Sequence, residues 1–341
     1  MPRGARRTTD IARPSRRRRP PARFLGIDIG GTKASAVVVD RTGRIRHRAG
    51  TVLHDRTDPA TVVARILRLV DAGLAARPGS VRAIGVGVAA QVDLRRGLVL
   101  HAGNLGWGRV ALGPRIARHA DRPVRLLNDA MAATYAEWRV GAGRGSRYVF
   151  GLSLGTGVGG GMIVDGRLAL GAHGAFGEVG HMTIVSGGRP CTCGHRGCWE
   201  AYVGGWAVAE RAREAVRAER GPGRPPAGFL EPHTRQWTAR QVFAAYRAGD
   251  PIARRVVRET LDHLANGAVG IANAFDPGLI VLVGGWIAGL PEAVERVRRA
   301  IRSSAQPTAA RTRVRAGLLG EDAVAVGAAL FARDGAVARV E

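Results

Sequence analysis

The stretch Phe24-Leu25-Gly26-Ile27-Asp28-Ile29-Gly30-Gly31-Thr32-Lys33 predicts a buried strand that runs into a glycine turn. A second apolar strand, Ala34–Asp40, follows directly, and Arg41-Thr42-Gly43 provides the turn that ends it. Two strands joined by so few residues pair as an antiparallel hairpin. The ordered part of the chain therefore opens with a hairpin whose tip is rich in glycine.

The same succession of elements returns in the second half of the chain, about 125 residues later. Tyr148–Leu154 predicts a strand, Gly155–Gly161 a long glycine turn, and Met162–Val164 a further strand that ends at Asp165-Gly166. A duplicated ancestral domain explains this repeat economically and places a cleft between the two halves. Two unrelated hairpins are the alternative on pattern alone.

Elsewhere in the chain, apolar strands alternate with amphipathic helices, which is typical of α/β layers. Further strands are predicted at Val81–Val88, Pro123–Leu127 and Leu279–Val283. Helices are predicted at Pro59–Ala76, Val110–Ala120, Ala130–Val140, Gly205–Glu219, Ala239–Ala248, Pro251–Ala274 and Ala323–Arg333. With 341 residues we expect two domains: a smaller one at 24–129, joined by the C-terminal helix 322–335, and a larger one at 130–321.

The charge of the chain is strongly basic but diffuse. Lysine and arginine number 52 against 27 acidic residues, a formal net charge of +25, and Lys33 is the only lysine. The arginines are spread along the chain, so they predict a solvated surface that attracts anionic ligands and no specific nucleic-acid interface. Residues 1–23 hold nine arginines and four prolines and are predicted to form a disordered tail.

The sequence also indicates the cellular location of the protein. No apolar run approaches the roughly 18 residues that span a membrane. We also expect no secretion signal, because no apolar leader precedes the predicted fold. The expectation is therefore a cytoplasmic protein without a membrane partner.

All three cysteines lie within eight residues, in Cys191-Thr192-Cys193-Gly194-His195-Arg196-Gly197-Cys198. Thiolates and imidazoles bind Zn²⁺ tightly, and four protein ligands leave no open position, so the spacing predicts a structural zinc. We prefer His181 as the fourth ligand, because it lies three residues after Glu178 and would tie that carboxylate to the metal; His195 is the alternative. Scattered core thiols or a disulfide explain the cysteines less well, since they are clustered and odd in number.

Both glycine turns have the composition of phosphate-binding loops. Backbone N–H groups in such a turn can approach phosphate oxygens because no Cβ intervenes, and a hydroxyl adds a donor. Gly30-Gly31-Thr32-Lys33 and Gly155-Thr156-Gly157 share this composition, although neither has the spacing of a Walker loop. Together they predict two sides of a site for a nucleotide's phosphates, with Asp28 holding Mg²⁺ through water.

Asn128 and Asp129 follow a predicted strand, at the edge where open α/β sheets place their ligands. Phosphoryl transfer to an alcohol requires a carboxylate that accepts the hydroxyl proton, and Asp129 is the candidate for this base. Asn128 can hydrogen-bond a polyol. The two residues are equally suited to cap the helix Ala130–Val140, and the sequence alone leaves the two interpretations even.

In combination, these motifs resemble the ROK family, which groups sugar kinases, open reading frames and sugar-responsive repressors. The resemblance extends from Phe24 to Arg333 and rests on Asp28–Lys33, Asn128-Asp129, the long glycine turn, Glu178-Val179-Gly180-His181 and the pattern Cys-x-Cys-Gly-x-x-Gly-Cys-x-Glu. It implies an actin-like ATPase fold, related to ribonuclease H, with duplicated domains. ATP would lie between the domains and a hexose deep in the cleft.

The resemblance also implies a role for each matching residue. Asp129 is similar to the catalytic base, and the residues that would bind the sugar are Asn104, Asn128, Asp129, Glu178, His181 and Glu200. His181 would use one ring nitrogen for zinc and the other for the sugar. ATP and Mg²⁺ would be held by Asp28, Gly30, Gly31, Thr32, Lys33, Gly155, Thr156, Gly157, Gly284 and Gly285. Zinc would be held by His181, Cys191, Cys193 and Cys198.

Two residues need comment against the family's pattern. His195 occupies a variable position of the cysteine motif and is expected at the surface. Many kinases of the family carry further small residues after the pair that corresponds to Gly284-Gly285, whereas this chain has Trp286. The packing of adenine beside this pair is therefore left open.

The function implied by the resemblance is an ATP-dependent hexose kinase, in the first place one that converts glucose to glucose 6-phosphate. N-acetylglucosamine and N-acetylmannosamine kinases share the motifs, so the choice of sugar stays open. A sugar-binding transcriptional regulator is the alternative from another class, but the 23 residues before Phe24 are too few for a winged-helix segment. We expect a homo-oligomer, either a dimer or a tetramer, as is frequent in the family.

Overall fold

The computed structural model describes residues 21–53, 58–220 and 237–335. The predicted tail lies outside these ranges except for residues 21–23. The strands are β1 (Arg23–Ile29), β2 (Lys33–Asp40), β3 (Ile45–Val52), β4 (Val81–Val88), β5 (Gln91–Asp93), β6 (Leu98–His101), β7 (Val124–Asn128), β8 (Val149–Leu154), β9 (Val158–Val164), β10 (Arg167–Leu168), β11 (Leu279–Val283) and β12 (Arg313–Ala316).

The α-helices of the described ranges lie mostly between these strands. They are α1 (Pro59–Ala75), α2 (Leu112–Ala120), α3 (Asp129–Val140), α4 (Glu200–Val203), α5 (Gly205–Arg220), α6 (Ala239–Arg247), α7 (Pro251–Phe275), α8 (Gly285–Gly289), α9 (Glu292–Ser304) and α10 (Ala323–Asp334). None of these helices combines the length with the apolar composition that a bilayer crossing requires.

The first sheet is built from the opening hairpin and two parallel strands. Its order is β3-β2-β1-β4-β7, with β1, β2 and β3 antiparallel and with β4 and β7 parallel to β1. Leu25, Ile27 and Ile29 are buried on the face covered by α1 and α2. Phe24 and Gly26 belong to the opposite face, against α10, because successive residues of a strand point to opposite sides.

The second sheet repeats the first, strand for strand. Its order is β10-β9-β8-β11-β12, again with three antiparallel strands followed by two parallel ones. Helices α5, α6, α7 and α9 cover its outer face around a core that includes Phe150, Leu152 and Ile280. The predicted α/β fold with a duplicated unit is therefore confirmed.

Helices α3 and α10 lie between the two sheets and form the central core with them. A Cβ at Gly26 or Gly85 would lie 1.8 Å from a carbonyl oxygen of α10, and one at Gly327 would lie 1.8 Å from the Ala132 oxygen of α3. Only glycine fits these positions, because any side chain would overlap the neighbouring backbone. The division into domains at residues 129 and 130 stays a prediction.

The second glycine stretch differs from the prediction. The turn ends at Gly157, and β9 begins at Val158, so the glycines expected in the turn pair with β8 as part of a strand. They are small because α3 packs on them: a Cβ at Gly159 would lie 2.9 Å from the Ala130 Cβ, and one at Gly161 would lie 2.7 Å from Thr134 Oγ1. Here glycine marks a close approach of two elements.

Several elements are missing from the sequence-based prediction, among them α9 and β3. Helix α9 buries Ala293, Val297 and Ile301, which stand four residues apart among charged residues. That spacing is typical of an amphipathic helix and could have been recognised. Strand β3 alternates half-buried and exposed residues and carries Arg46 and Arg48 at the edge of the sheet, so it has no apolar run to detect.

Candidate active site

The first phosphate-type turn lies at the tip of the β1–β2 hairpin. The Gly30 N–H donates to the Lys33 carbonyl oxygen at 3.0 Å, and the Leu53 N–H donates to the Thr32 carbonyl oxygen at 2.8 Å. Thr32 and Lys33 are exposed, and the Lys33 ammonium pairs with Glu321 Oε2 at 2.9 Å. The turn is closed by its own backbone and presents a hydroxyl and a cation at its surface.

The second turn, Gly155–Gly157, connects β8 to β9 beside the start of α5. The Gly155 carbonyl oxygen accepts from the Gly205 N–H, the first residue of α5, at 3.0 Å. A Cβ on Gly205 would lie 3.5 Å from the Cβ of Ala239, the first residue of α6. The N-termini of two helices therefore flank the turn, and helix N-termini favour anions.

Gly284 and Gly285 lie beside the second turn, where β11 ends and α8 begins. Gly284 has a φ of 102°, and a Cβ there would lie 2.3 Å from the Leu154 carbonyl oxygen, so only glycine fits. Trp286 is 3 % exposed and packs edge-on against Phe243, with 5.0 Å between ring centroids. The Trp286 ring thus belongs to the core beneath the turn, while Gly285 stays exposed.

Asp28 lies two residues before the first residue of the first turn, Gly30, and is half-buried. Burial, followed by the negative charge of Asp129, raises the pKa of Asp28 to about 7; Lys33 opposes this shift and Glu321 adds to it. A carboxyl group with such a pKa is partly protonated near neutral pH. A divalent cation would replace that proton favourably, which agrees with the predicted magnesium role.

Asp129 is the first residue of α3, and Asn128 caps that helix. Asn128 Oδ1 accepts from the N–H groups of Ala130 at 2.9 Å and Met131 at 3.3 Å, and Asp129 Oδ1 accepts from the Ala130 N–H at 2.8 Å. Burial raises the pKa of Asp129, although the Ala130 N–H opposes the shift. The helix-cap interpretation is therefore correct for Asn128. The cap leaves Asp129 available as a base, and a carboxylate with a raised pKa suits a base that works near neutral pH.

Glu178 is a further acidic residue near Asp129. Burial raises the pKa of Glu178; His181 opposes the shift, and the charges of Asp129 and Glu200 add to it. Asp129 also acts on Asp28 beside the first turn. The predicted magnesium ligand Asp28, the predicted base Asp129 and the acidic predicted sugar ligands Glu178 and Glu200 thus interact electrostatically.

Glu200 has contacts within the protein that sequence reasoning missed. It is 8 % exposed, its Oε2 accepts from the Val158 N–H at 2.8 Å, and its Oε1 accepts from the Trp206 Nε1–H at 3.1 Å. A Cβ at Gly157 would lie 2.4 Å from Glu200 Oε2. Glu200 therefore fixes the second turn to α5, and its hydrogen bond to a sugar stays a prediction.

His181 and the three cysteines come together as one cluster. Their candidate ligand atoms all lie within 4.8 Å of one another, with 3.6 Å between the sulfurs of Cys193 and Cys198 and 3.8 Å between Cys191 Sγ and His181 Nδ1. Zn–S bonds of about 2.3 Å in a tetrahedron give ligand separations of about 3.8 Å. The cluster therefore fits Zn²⁺, and its sulfurs lie well beyond the ~2.05 Å of a disulfide bond.

The His181 ring lies between this cluster and Glu178. Its Nδ1 faces the cysteines, and its Nε2 lies 3.9 Å from Glu178 Oε2. This arrangement agrees with the two duties that the resemblance implies. The alternative ligand His195 is exposed and outside the cluster, and its carbonyl oxygen accepts from the Cys191 N–H at 2.8 Å.

Asn104 lies in the short 3-10 helix Gly103–Leu105, within a loop closed by main-chain hydrogen bonds between Ala102 and Trp107. Leu105 and Trp107 are 1 % exposed and pack the loop into the core of the first sheet. The side chain of Asn104 is not among those described. Its contact with a sugar therefore stays a prediction.

Two charged residues of the site were missed by sequence reasoning. Glu321 pairs with Lys33 across a separation of 288 residues, and the Arg240 guanidinium lies 3.7 Å from Glu321 Oε1. No local pattern marks either residue, because their meeting depends on the path of the whole chain. They add one carboxylate and one cation to the surroundings of the first turn.

Two matching sheets around α3 and α10, with glycine turns at the strand ends, define an actin-like ATPase fold. The chain belongs to the ROK family, whose family model matches residues 24–335.

Individual relatives cover most of the chain. A glucokinase of Streptomyces coelicolor is 35% identical over 266 residues, which are 76% of this chain and 81% of the relative. An N-acetylmannosamine kinase of Haemophilus influenzae is 31% identical over 316 residues, 92% of this chain and 96% of the relative. The crystal structure of a ROK family glucokinase from Streptomyces griseus in complex with glucose and AMPPNP matches with a TM-score of 0.78 and 31% identity, over 92% of this chain and 100% of that chain.

Proposed function

We propose that the protein is an ATP-dependent hexose kinase that transfers the γ-phosphoryl group to a hydroxyl of glucose and yields glucose 6-phosphate. The observation that carries this proposal is the position of Asp129. Its charge acts on Asp28, beside the first phosphate-type turn, and on Glu178, beside the predicted zinc site. The similarity to glucokinases of two Streptomyces species supports ATP as donor and glucose as acceptor.

The glycine turns would bind the nucleotide. The N-termini of α5 and α6 flank the second turn, and Lys33 and Thr32 are exposed on the first, so both offer donors to phosphate oxygens. Asp28 would hold Mg²⁺ through water. The exposed Gly285 backbone lies beside the second turn and would face the adenosine part of the nucleotide.

Asp129 would accept the proton of the attacking hydroxyl. Phosphoryl transfer requires little covalent work from the protein, so the main tasks are to align acceptor and donor and to place a base beside the hydroxyl. The hydrogen bond from the Ala130 N–H holds one oxygen of the carboxylate. Burial raises its pKa and so increases its proton affinity, which favours this transfer.

The sugar would be bound next to this base. Asn128 uses its Oδ1 for the helix cap, and its Nδ2 lies 3.4 Å from the Ala90 carbonyl oxygen, so the amide is fixed in orientation. Glu178 and His181 Nε2 offer further polar atoms, which lie 3.9 Å apart. Bound zinc would fix the orientation and tautomer of the His181 ring.

A panel of sugars tests this proposal. MgATP-dependent ADP release is measured with glucose, mannose, N-acetylglucosamine and N-acetylmannosamine, against a reaction without sugar. We expect glucose to have the highest kcat/KM. Zinc-loaded, folded protein that releases no ADP with any of the four sugars would contradict the proposal.

N-acetylmannosamine kinase is the second candidate, because a relative of that name covers 92% of this chain at 31% identity. The two candidates share the base and the phosphate turns, so they differ only in how the site accommodates the substituent at the sugar's 2-position. Preference for N-acetylmannosamine over glucose in the same panel would favour this candidate.

The raised pKa of Asp28 predicts how nucleotide binding depends on pH. Ionised Asp28 is needed to hold Mg²⁺, and because its pKa is about 7, protonation competes with the cation from neutral pH downwards. We expect the dissociation constant of MgADP to increase below pH 7, by up to about tenfold per pH unit. Isothermal titration calorimetry between pH 5.5 and 8.5 measures this dependence.

Two variants control for the other groups that titrate. Asp28→Asn should bind MgADP more weakly, with a pH dependence much flatter than that of the unmodified protein. Asp129→Asn removes a charge that raises the pKa of Asp28, so the pH at which binding begins to weaken should move lower. An Asp28→Asn profile as steep as the original would show that another group titrates.

A further inference from the structure

A charged bridge connects the first glycine turn to the helices beside the second turn. Lys33 Nζ lies 2.9 Å from Glu321 Oε2, and the Arg240 guanidinium lies 3.7 Å from the other oxygen, Oε1. Lys33 belongs to the tip of the β1–β2 hairpin, whereas Arg240 is the second residue of α6, whose first residue approaches α5 next to the second turn. One carboxylate is thus shared by two cations that border the predicted nucleotide site.

The backbone that carries Glu321 is held in place by α3. Glu137 is fully buried on α3, and its Oε1 accepts from the N–H groups of Leu318 at 2.8 Å and Leu319 at 2.9 Å. Its Oε2 accepts from the Ala142 N–H at 2.8 Å. Glu321 therefore follows a fixed segment, although its own side chain is 67% exposed.

The charges around Glu321 favour its anionic form. The hydrogen bond from Lys33 lowers the pKa of Glu321, and the charges of Lys33 and Arg240 lower it further. Asp28 lies within electrostatic reach of both Lys33 and Glu321. Glu321 is thus an anionic side chain of the protein itself. It pairs with Lys33 and Arg240, the cations that the phosphates of a nucleotide would also need.

We propose that Glu321 competes with the phosphates of the nucleotide for Lys33 and Arg240, so that nucleotide binding requires these ion pairs to break. This inference rests on the proposed function, since it assigns Glu321 to the same nucleotide site. Two anions cannot share the Lys33 ammonium without repulsion, and the phosphates carry more charge than one carboxylate. Glu321 weakens the binding of nucleotide and makes its release easier.

Glu321→Gln tests the competition directly. The substitution removes the negative charge, keeps the shape of the side chain, and alters an exposed position, so the fold should be unaffected. Exposed ion pairs are weak, and we expect MgADP to bind about three- to tenfold more tightly at low ionic strength. The gain should shrink at 0.5 M salt, because salt screens exposed charges. Isothermal titration calorimetry with MgADP measures both values without any turnover.

Asp322→Asn is the matched control, since it removes the same charge one residue away. Asp322 pairs with Arg48 at 2.8 Å and is outside the Lys33 pair. Its substitution should change the dissociation constant of MgADP less than twofold. An equal gain from Asp322→Asn would show that any acidic residue in this segment repels the nucleotide, and competition for Lys33 would be wrong.

Measuring Glu321→Gln on a Lys33→Gln background separates competition for Lys33 from simple repulsion between Glu321 and the nucleotide. Lys33→Gln should weaken MgADP binding, and Glu321→Gln added to it should restore little, because the main cation that Glu321 holds is gone. A gain as large as with Lys33 present would overturn the proposal, and so would weaker or unchanged binding in Glu321→Gln alone. Failure of the unmodified protein to bind MgADP at all would count against the kinase assignment instead.

Discussion

Asp129→Asn is expected to lower kcat about a thousandfold while sugar binding persists, because a general base contributes on the order of 10²–10⁴ to the rate. The amide cannot accept the hydroxyl proton. It keeps an Oδ1 that can accept from the Ala130 N–H, as Asp129 does at 2.8 Å. Asn128 continues to cap the helix, so α3 should keep its position.

The stability of this variant has a predicted direction as well. Burial raises the pKa of Asp129, which means that its ionised form is disfavoured in the folded protein above the ordinary carboxyl pKa. A neutral amide avoids this cost at neutral pH. The melting temperature of Asp129→Asn should therefore equal or exceed that of the unmodified protein at pH 7.5.

The measurements are kcat from coupled ADP release and glucose affinity from calorimetry. Asp165→Asn is the control, because it removes an exposed carboxylate that pairs with Arg147 and lies in a turn with a φ of 49°, which asparagine tolerates. Its kcat should stay unchanged. A kcat of Asp129→Asn within tenfold of the original would remove Asp129 as the base.

Cys198→Ser is expected to abolish zinc binding and to weaken glucose binding about 10- to 100-fold, the size of effect seen at metal sites when the groups that orient the ligands are removed. Cys198 is fully buried and its sulfur lies 3.6 Å from that of Cys193, so no solvent molecule can easily replace it as a ligand. Without zinc the His181 ring would lose the contact that orients its Nε2 beside Glu178. The melting temperature should fall as well, because structural zinc contributes to folding.

Elemental analysis of purified protein decides this prediction independently of activity. About one zinc per chain is expected in the unmodified protein and almost none in Cys198→Ser. His181→Ala and His195→Ala form a matched pair: the first should lower the zinc content, and the second, at an exposed position outside the cluster, should not. Loss of zinc from His195→Ala alone would make His195 the fourth zinc ligand in place of His181. Absence of zinc from the unmodified protein would reject the predicted zinc site.

The parts of the fold that the sequence predicted are those in which the pattern is local. The β1–β2 hairpin, its counterpart β8–β9 and most of the long helices follow from apolar periodicity and glycine turns. What could not be predicted depends on distant partners. Gly159 and Gly161 look like turn residues until α3 is placed against them, and Gly327 is small because of the Ala132 backbone.

The residues of the candidate site likewise divide into those marked by a local pattern and those whose role depends on distant partners. The three cysteines are close in sequence, so their spacing was sufficient to predict that they meet, whereas the choice of His181 over His195 rested on its position beside Glu178. The resemblance predicts Glu200 as a sugar ligand, but its hydrogen bonds to Val158 and Trp206 depend on how β9 and α5 are placed. Glu321 has no local signal, since its partner lies 288 residues away.

The single lysine of the chain has a practical consequence. Lys33 is the only side chain with a primary amine, it is 64% exposed, and it lies at the tip of the first turn. An amine-reactive dye therefore has one side-chain target, besides the chain's terminal amine. Labelling at alkaline pH would attach a fluorophore at the first glycine turn without any engineered cysteine, and protection from labelling would report the fraction of molecules with a ligand bound at this turn.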